Sequence, residues 1–406
     1  MSVNFKSPPG IYLIINRCIY LLFLLTLPDM TGSAVTFSLN NVSGSMIFQY
    51  KSENQIDISQ AELMLTYLDN DFGEQPDSLF LDKIMKAKGT ELIIRQMNLA
   101  RKVSHAQYRT LLAGFSVNRL PSIQPVDSTE RAQRGIDGLV NNVWPLLQWG
   151  KQNTTLLKQK LNEFKKLDVY DNAQKIASNF LPRSVNITPS LYIVMGGRAG
   201  FAALHDNDIY FDLLVMTFSR IRKGVPQISQ DEITEFFAHE MHHLGLSRIL
   251  AEKQNTLNMN TQEELIFRVL SSLVSEGSAT YLINGHRDIN SIRDNPSYSE
   301  YFKDINNLLM TYESILNSID NNEIKTNIDF EEATASLLGH SYHSAGSHML
   351  SIIDQASGLE SIMSILDDPR QLLSIYNNSV QKLNQVTNPV YLFDDDLAGN
   401  VAVIGE

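Results

Sequence analysis

The sequence predicts a mainly helical α+β protein with a small β-sheet and a cleft between helical lobes. Three observations predict this class. Most of the chain shows apolar residues spaced three and four apart, which indicates helices. Only a few short runs are rich in β-forming residues. The 406 residues are 43% hydrophobic and 19% charged, which is typical of a folded globular protein.

Residues 1–34 differ in composition from the rest of the chain. Lys6 and Arg17 come before an apolar run at residues 18–27, and Gly32-Ser33-Ala34 offers small residues for a signal peptidase. This pattern predicts a signal peptide, cleaved on export to the periplasm or the extracellular space. The alternative is an uncleaved membrane anchor, which would have to include Arg17 within a roughly 20-residue apolar span. Contact with a membrane is therefore expected only through this segment.

Charge and cysteine content exclude several classes of function. The chain carries 33 basic and 45 acidic residues, a formal net charge of −12. Nucleic-acid binding depends on basic surface, so nucleic acid is excluded as an expected partner. Cys18 is the single cysteine and lies in the predicted signal peptide. A mature chain would therefore have no disulfide, thiolate ligand or cysteine nucleophile.

Residues 35–185 are predicted to form an amino-terminal lobe, with a short β segment followed by helices. The β-type pattern lies at residues 35–50, as a strand pair or hairpin. Helical periodicity then predicts a series of helices at 59–69, 77–87, 89–103, 105–114, 128–149, 151–166 and 170–180. This lobe contains no candidate catalytic group, and we expect it to frame one side of a cleft.

Residues 186–406 are predicted to form the catalytic lobe, which begins with a small sheet. Two strands are predicted at 191–195 and 208–213, from their apolar and β-branched residues. A sheet edge beside a cleft could pair with an extended peptide substrate. An ordinary unoccupied edge is the equal alternative at this stage.

The pattern His239-Glu240-x-x-His243 is the strongest chemical signal in the sequence. Ser229, with Glu232 three residues later, predicts a helix start before it, and Gly245 predicts the helix end. On one helix, His239 and His243 have Cβ atoms about 5–6 Å apart, which suits two ligands of one zinc ion.

The residues between and beside these histidines have other expected roles. Glu240 lies beside the pair, where it can accept a proton from a water molecule without binding the metal. His242 is expected to lie behind the ligands or at the rim of the site.

Glu276 is the candidate third ligand. The predicted helix from Thr261 to Leu282 carries an apolar stripe with spacings of three and four, and Glu276-Gly277 continues it. A carboxylate on a buried face needs a partner, which can be a metal or, alternatively, an arginine. Gly277 allows another backbone or a ligand to come close.

These motifs resemble those of the gluzincin clan of zinc metallopeptidases. More closely, His-Glu-x-His-His followed by Glu-Gly resembles uncharacterised bacterial zinc-dependent peptidases, over roughly residues 190–355. The resemblance implies a thermolysin-like catalytic core, Zn²⁺ as cofactor, His239, His243 and Glu276 as ligands, and Glu240 as general base. Two features depart from thermolysin-like enzymes: a longer gap between the ligand helices, and Thr280 where those enzymes place a carboxylate.

That departure leaves open which residue orients the ligand histidines. Asp212 and Asn284 are the two residues we expect could orient them.

A histidine-rich segment at residues 339–348 is expected to complete the site. Tyr342 and Gly346 share one predicted helical face, and the resemblance suggests a Tyr-x-x-x-Gly feature here. Peptide hydrolysis places negative charge on the carbonyl oxygen, and a tyrosine or histidine donor stabilises that charge. Tyr342 is the first candidate for this donor and His348 the second.

The sequence therefore predicts an exported zinc metallopeptidase that acts on a peptide or protein substrate. Two alternatives remain open at this stage. One is a zinc hydrolase of a non-peptide amide or ester, and the other is a non-catalytic zinc-binding scaffold protein. Glu240 argues against the scaffold, because a structural zinc site needs no general base.

Overall fold

A computed structural model describes residues 56–70, 78–197, 201–204, 207–224, 229–334, 337, 340–383 and 390–406. The predicted signal peptide and the predicted strand pair at 35–50 lie outside these residues. The described chain is mainly helical, as predicted. Its helices are α1 (Ser59–Asp69), α2 (Ser78–Lys86), α3 (Lys88–Arg101), α4 (His105–Ser116), α5 (Glu130–Gly138), α6 (Trp144–Gln152), α7 (Thr154–Phe164), α8 (Tyr170–Asn179), α9 (Leu213–Arg222), α10 (Gln230–Thr256), α11 (Thr261–Ser278), α12 (Ile289–Arg293), α13 (Ser299–Phe302), α14 (Ile305–Asp320), α15 (Asn327–Thr334), α16 (Ser341–Ser357), α17 (Leu359–Asp367), α18 (Leu372–Leu383) and α19 (Asp395–Ala402).

One sheet in the described chain has four strands in the order β1–β2–β4–β3. The strands are β1 (Ile56–Asp57), β2 (Ser190–Val194), β3 (Phe201–Leu204) and β4 (Asp208–Asp212). β1, β2 and β4 are parallel, whereas β3 pairs with β4 in the antiparallel sense and forms one edge. The strands predicted at 191–195 and 208–213 are thus confirmed within one residue. β1 comes from the predicted amino-terminal lobe and is hydrogen-bonded to β2, the first strand of the predicted catalytic lobe.

The predicted helix at 128–149 is interrupted by a π-helical segment. α5 leads into a π segment at Leu139–Val143 and then into α6, whose second residue is Pro145. Because proline has no N–H to donate, a widened turn just before it accommodates the missing hydrogen bond. The prediction of helical structure in this range is therefore confirmed, but the prediction of one continuous helix is wrong.

The prediction that Gly245 ends the first ligand helix is wrong, because α10 continues to Thr256. A Cβ atom at Gly245 would lie 2.5 Å from Leu181 and 2.9 Å from Ile187. The glycine therefore permits close packing in the middle of the helix. Ser229 does cap the helix as predicted, since its hydroxyl accepts a hydrogen bond from the amide of Glu232.

The closest helix crossing near the predicted site joins α11 to α16. A Cβ atom at Gly277 would lie 2.4 Å from the backbone of Gly346, and one at Gly346 would lie 2.0 Å from the carbonyl oxygen of Leu273. The backbones can approach this closely only because both residues lack a side chain. The crossing brings the histidine-rich segment against the helix that carries Glu276.

We expect Gly346→Ala to destabilise the protein by about 1–3 kcal/mol, the usual cost of forcing an extra methyl group into a packed core. Gly399→Ala in α19 is the matched control. Nothing lies within 4 Å of its added Cβ, and the change should stabilise a helix by roughly 0.5–1 kcal/mol. Urea unfolding of the two variants measures both effects. Equal stability of Gly346→Ala and wild type would contradict the close crossing.

None of the helices in the described ranges combines the length and the apolar composition that a membrane span requires.

Candidate metal centre

Helix α10 supplies three of the residues singled out from the sequence. His239, Glu240 and His243 are all buried, although a helix segment with this many polar groups would normally face solvent. Helix α10 packs against α8, against α11 and against the segment Ala279–Asn284 that follows α11. Its polar groups therefore face protein. Buried polar groups require partners, and the neighbouring helices supply them.

One ligand atom from each of His239, Glu276 and His343 lies within 4.8 Å of the other two. These three buried residues form a candidate metal site. His243 lies at the same place: its Nε2 is 3.0 Å from Nε2 of His239 and 3.5 Å from Oε2 of Glu276. Nδ1 of His343 is 3.2 Å from the same Glu276 oxygen. The structure therefore brings together the three sequence candidates and adds His343.

Each of the three clustered histidines has its Nδ1 atom held by a neutral oxygen. Nδ1 of His239 lies 2.6 Å from the amide oxygen of Asn284, which can only accept, so this nitrogen carries the proton. The corresponding contacts are 2.8 Å for His243 with Ser275 and 2.7 Å for His343 with Thr280. Such contacts fix the ring orientation, as in established metal sites. In His239 and His243 they leave the Nε2 atoms facing each other at 3.0 Å.

The oxygens that hold the histidines come from one stretch of chain. Ser275 and Glu276 lie in the last turn of α11, while Thr280 and Asn284 lie in the π segment Ala279–Asn284 that follows. π segments widen a helix by one residue and are frequent at functional sites. Of the two orienting residues expected from the sequence, Asn284 contacts His239. Asp212 instead caps α9 and accepts a hydrogen bond from the amide of Gly197.

The charges within the cluster suit a divalent cation. Burial, together with the neighbouring histidines, holds the pKa of His239 well below its usual value, and burial also lowers the pKa of His343. Although burial alone would raise the pKa of Glu276, the histidines around it hold that pKa well below its ordinary range. His239 and His343 thus offer neutral imidazoles and Glu276 an ionised carboxylate, donors that are found together in catalytic zinc sites.

His243 differs from the other two histidines in its protonation. Burial acts to lower its pKa, but the charge and hydrogen bond of Glu276 outweigh burial, and the pKa is raised. Without metal, a proton on Nε2 can be shared with His239 and Glu276 across distances of 3.0 and 3.5 Å. A bound metal ion would take the place of this proton, which is the usual coupling between metal binding and proton release.

His242 lies behind the cluster, one of the two places expected for it. Ser278 donates its hydroxyl proton to the carbonyl oxygen of Ser275 and accepts from Nε2 of His242 at 2.8 Å. Burial lowers the pKa of His242 to about 3, so the ring is neutral. The hydrogen bond between His242 and Ser278 links α10 to α11 beside the ligand atoms.

Tyr342 and His348, the two predicted donors to the developing charge, are both buried. Tyr342 is 1% exposed, and its ring packs against that of Tyr312 with centroids 5.1 Å apart. His348 is 8% exposed, with its ring 6.4 Å from that of Phe302. These positions favour packing roles, so the assignment of either residue to substrate stays a prediction.

His343 and the hydroxyls of Ser275 and Thr280 are the site residues that the sequence reasoning missed. His343 was visible only as one of three histidines in the segment 339–348. Thr280 was noted as a departure from thermolysin-like enzymes, and in the structure it holds a histidine with its hydroxyl. A neutral hydroxyl therefore stands where thermolysin-like enzymes place a carboxylate.

A comparison with family models matches residues 82–385, about three quarters of the chain, to the family described as "Putative zinc dependent peptidase (DUF5700)". The chain belongs to this family. Searches of curated proteins and of solved structures found no match. The family's matched range includes the whole ligand cluster, and the zinc in its description agrees with the donor set found here.

Proposed function

We propose that the protein is a zinc-dependent peptidase in which His239, His243 and Glu276 hold one zinc ion. The observation that carries this proposal is the buried cluster of imidazoles with anchored Nδ1 atoms around an ionised carboxylate. An arginine partner for Glu276, the alternative considered from the sequence, finds no support, because its ion-pair partners in the described chain are His243 and His343.

His243 is a better second imidazole ligand than His343, although both lie near Glu276. Nε2 of His243 faces His239 and Glu276. For His343, the nitrogen near Glu276 is Nδ1, which already contacts the Thr280 hydroxyl at 2.7 Å. Zinc in a catalytic site takes three protein ligands and keeps one position open. In this proposal His343 lines that open side and does not bind the metal.

Glu240 is proposed as the general base. A zinc ion held by these ligands would lower the pKa of a water molecule to about 7 and polarise a carbonyl group. Glu240 is buried beside His239 on α10, and its charge acts on His243, which places its carboxylate near the cluster. From there it takes the proton from water and passes it to the leaving amine, as general bases in hydrolysis do.

The sheet supports a peptide as the substrate. β3 is the last strand in the described sheet order, antiparallel to β4, and it packs against α10, the helix that carries the ligands. An extended peptide can pair with such an edge through its backbone groups. A peptide held there would lie against the helix that carries the ligands, and this favours peptides over other amides and esters.

The test is metal content measured together with hydrolysis. We expect purified protein to contain one zinc ion per chain and to digest casein or a peptide library. The chelator 1,10-phenanthroline should abolish digestion, and added Zn²⁺ should restore it. Chelation should also lower the midpoint of thermal unfolding, since a ligand at 100 times its Kd stabilises the folded state by about 2.7 kcal/mol. Zinc at full occupancy with no peptide hydrolysis would refute the proposed function.

A further inference from the structure

Tyr298 is the aromatic residue that borders the histidine cluster. It lies between α12 and α13, just before Ser299. Its ring is tilted against that of His343, with centroids 5.6 Å apart, and stands edge-on to that of His340 at 4.9 Å. Unlike Tyr342, which is buried in the core, Tyr298 is only half-buried. It therefore lies between the ligand cluster and the surface.

Thr280 neighbours both the phenol of Tyr298 and His343. Its Oγ1 lies 2.7 Å from Nδ1 of His343, and its hydroxyl is placed to donate to the phenol oxygen. With the proton on Nδ1, His343 donates to Thr280 and leaves the Thr280 proton for the phenol oxygen. Tyr298 then keeps its own proton for another acceptor, since a phenol can accept one bond and donate another. Linked bonds of this kind strengthen one another.

The phenol remains a donor at neutral pH. An ordinary tyrosine phenol has a pKa of about 10, so it keeps its proton at neutral pH. A neutral donor near a metal site suits an oxygen on which negative charge develops, because the donor is already oriented before reaction.

We propose that Tyr298 is a catalytic residue whose hydroxyl donates a hydrogen bond to the carbonyl oxygen of the scissile amide. This inference rests on the proposed peptidase function and deepens it. His343 and Thr280 act as positioning residues, because they hold the phenol oxygen from behind and direct its proton outward. The sequence suggested Tyr342 as the donor to the carbonyl oxygen. This proposal assigns that donor role to Tyr298, which lies between α12 and α13.

Tyr298→Phe in the zinc-loaded full chain tests the proposal. We expect kcat to fall on the order of 10²-fold, the usual cost of one lost donor to the developing charge, with KM nearly unchanged. Zinc stoichiometry should stay at the wild-type value. Tyr301→Phe makes the same change three residues later and should leave kcat unchanged. Wild-type kcat in Tyr298→Phe, or an equal loss confined to Tyr342→Phe, would overturn the proposal.

A binding measurement separates this proposal from the peptidase function. In the cobalt-substituted protein, visible absorption reports the binding of acetohydroxamate, whose oxygens resemble the charged carbonyl. Tyr298→Phe should weaken this binding roughly tenfold, as expected for one hydrogen bond to a charged group. If the zinc-loaded wild type hydrolyses no peptide, the peptidase function fails, and the hydroxamate affinities still decide whether Tyr298 faces the metal. Equal affinity in both proteins would refute its role.

Discussion

Glu240→Gln should leave zinc bound and the fold intact while turnover falls by roughly 10²–10⁴-fold or more. The amide has nearly the volume of the carboxylate and can still form hydrogen bonds, but it cannot accept the proton from water. Since Glu240 is not one of the proposed ligands, its replacement removes no metal contact. Loss of turnover at full zinc occupancy would therefore isolate the proton-transfer step.

The measurement compares kcat and zinc stoichiometry in the same samples. Glu252→Gln is the matched control, because it makes the same change on the same helix in an exposed ion pair with Arg183. Exposed ion pairs contribute about 0–1 kcal/mol, so this variant should resemble wild type in turnover and stability. A Glu240→Gln protein with wild-type turnover would end the proposed mechanism, whatever its zinc content.

Features that depend on residues close together in the chain were predicted well. The helix at Ser59–Asp69 was predicted with the observed bounds, because its periodicity and flanking residues act locally. The spacing of His239 and His243 fixed their shared helical face for the same reason. Glu276 could be recognised because a lone carboxylate on an apolar stripe is costly without a partner. Each of these inferences needs only a few neighbouring residues.

Features that depend on contacts between distant segments could not be predicted in this way. His343 lies 67 positions from Glu276 and meets it only because Gly277 and Gly346 let their helices cross closely. Periodicity cannot reveal that crossing, nor the partner of a histidine in a polar segment. Gly245 shows the same limit, since close packing by Leu181 and Ile187 outweighs its usual preference for helix ends.

Polar anchoring of the histidines was hidden for a chemical reason. Serine, threonine and asparagine occur throughout any sequence and carry no charge that marks them as site residues. Ser275 and Thr280 become recognisable only when their hydroxyls are seen 2.8 and 2.7 Å from imidazole nitrogens. Asn284 is the exception, since it was one of the two candidates named from the sequence and it contacts His239 from the π segment.

His243→Ala and His343→Ala should differ in kind if His243 binds the metal and His343 does not. His243→Ala removes a ligand, so zinc affinity should fall by more than the roughly 10–100-fold that loss of an outer hydrogen-bond partner costs. His343→Ala should keep zinc near the wild-type affinity and lose turnover, because Thr280 and Tyr298 lose the group that orients them. Competition with a chromogenic chelator measures both affinities.

The anchoring hydroxyls give a second and milder form of the same test. Ser275→Ala removes the contact to Nδ1 of His243, and Thr280→Val removes the contact to Nδ1 of His343. If His243 is the ligand, Ser275→Ala should weaken zinc binding roughly 10–100-fold and Thr280→Val should leave it nearly unchanged. The reverse order would place His343 on the metal with His239 and Glu276. His243 would then become the residue on the open side, and the assignment of His243 as a ligand from the sequence would be wrong.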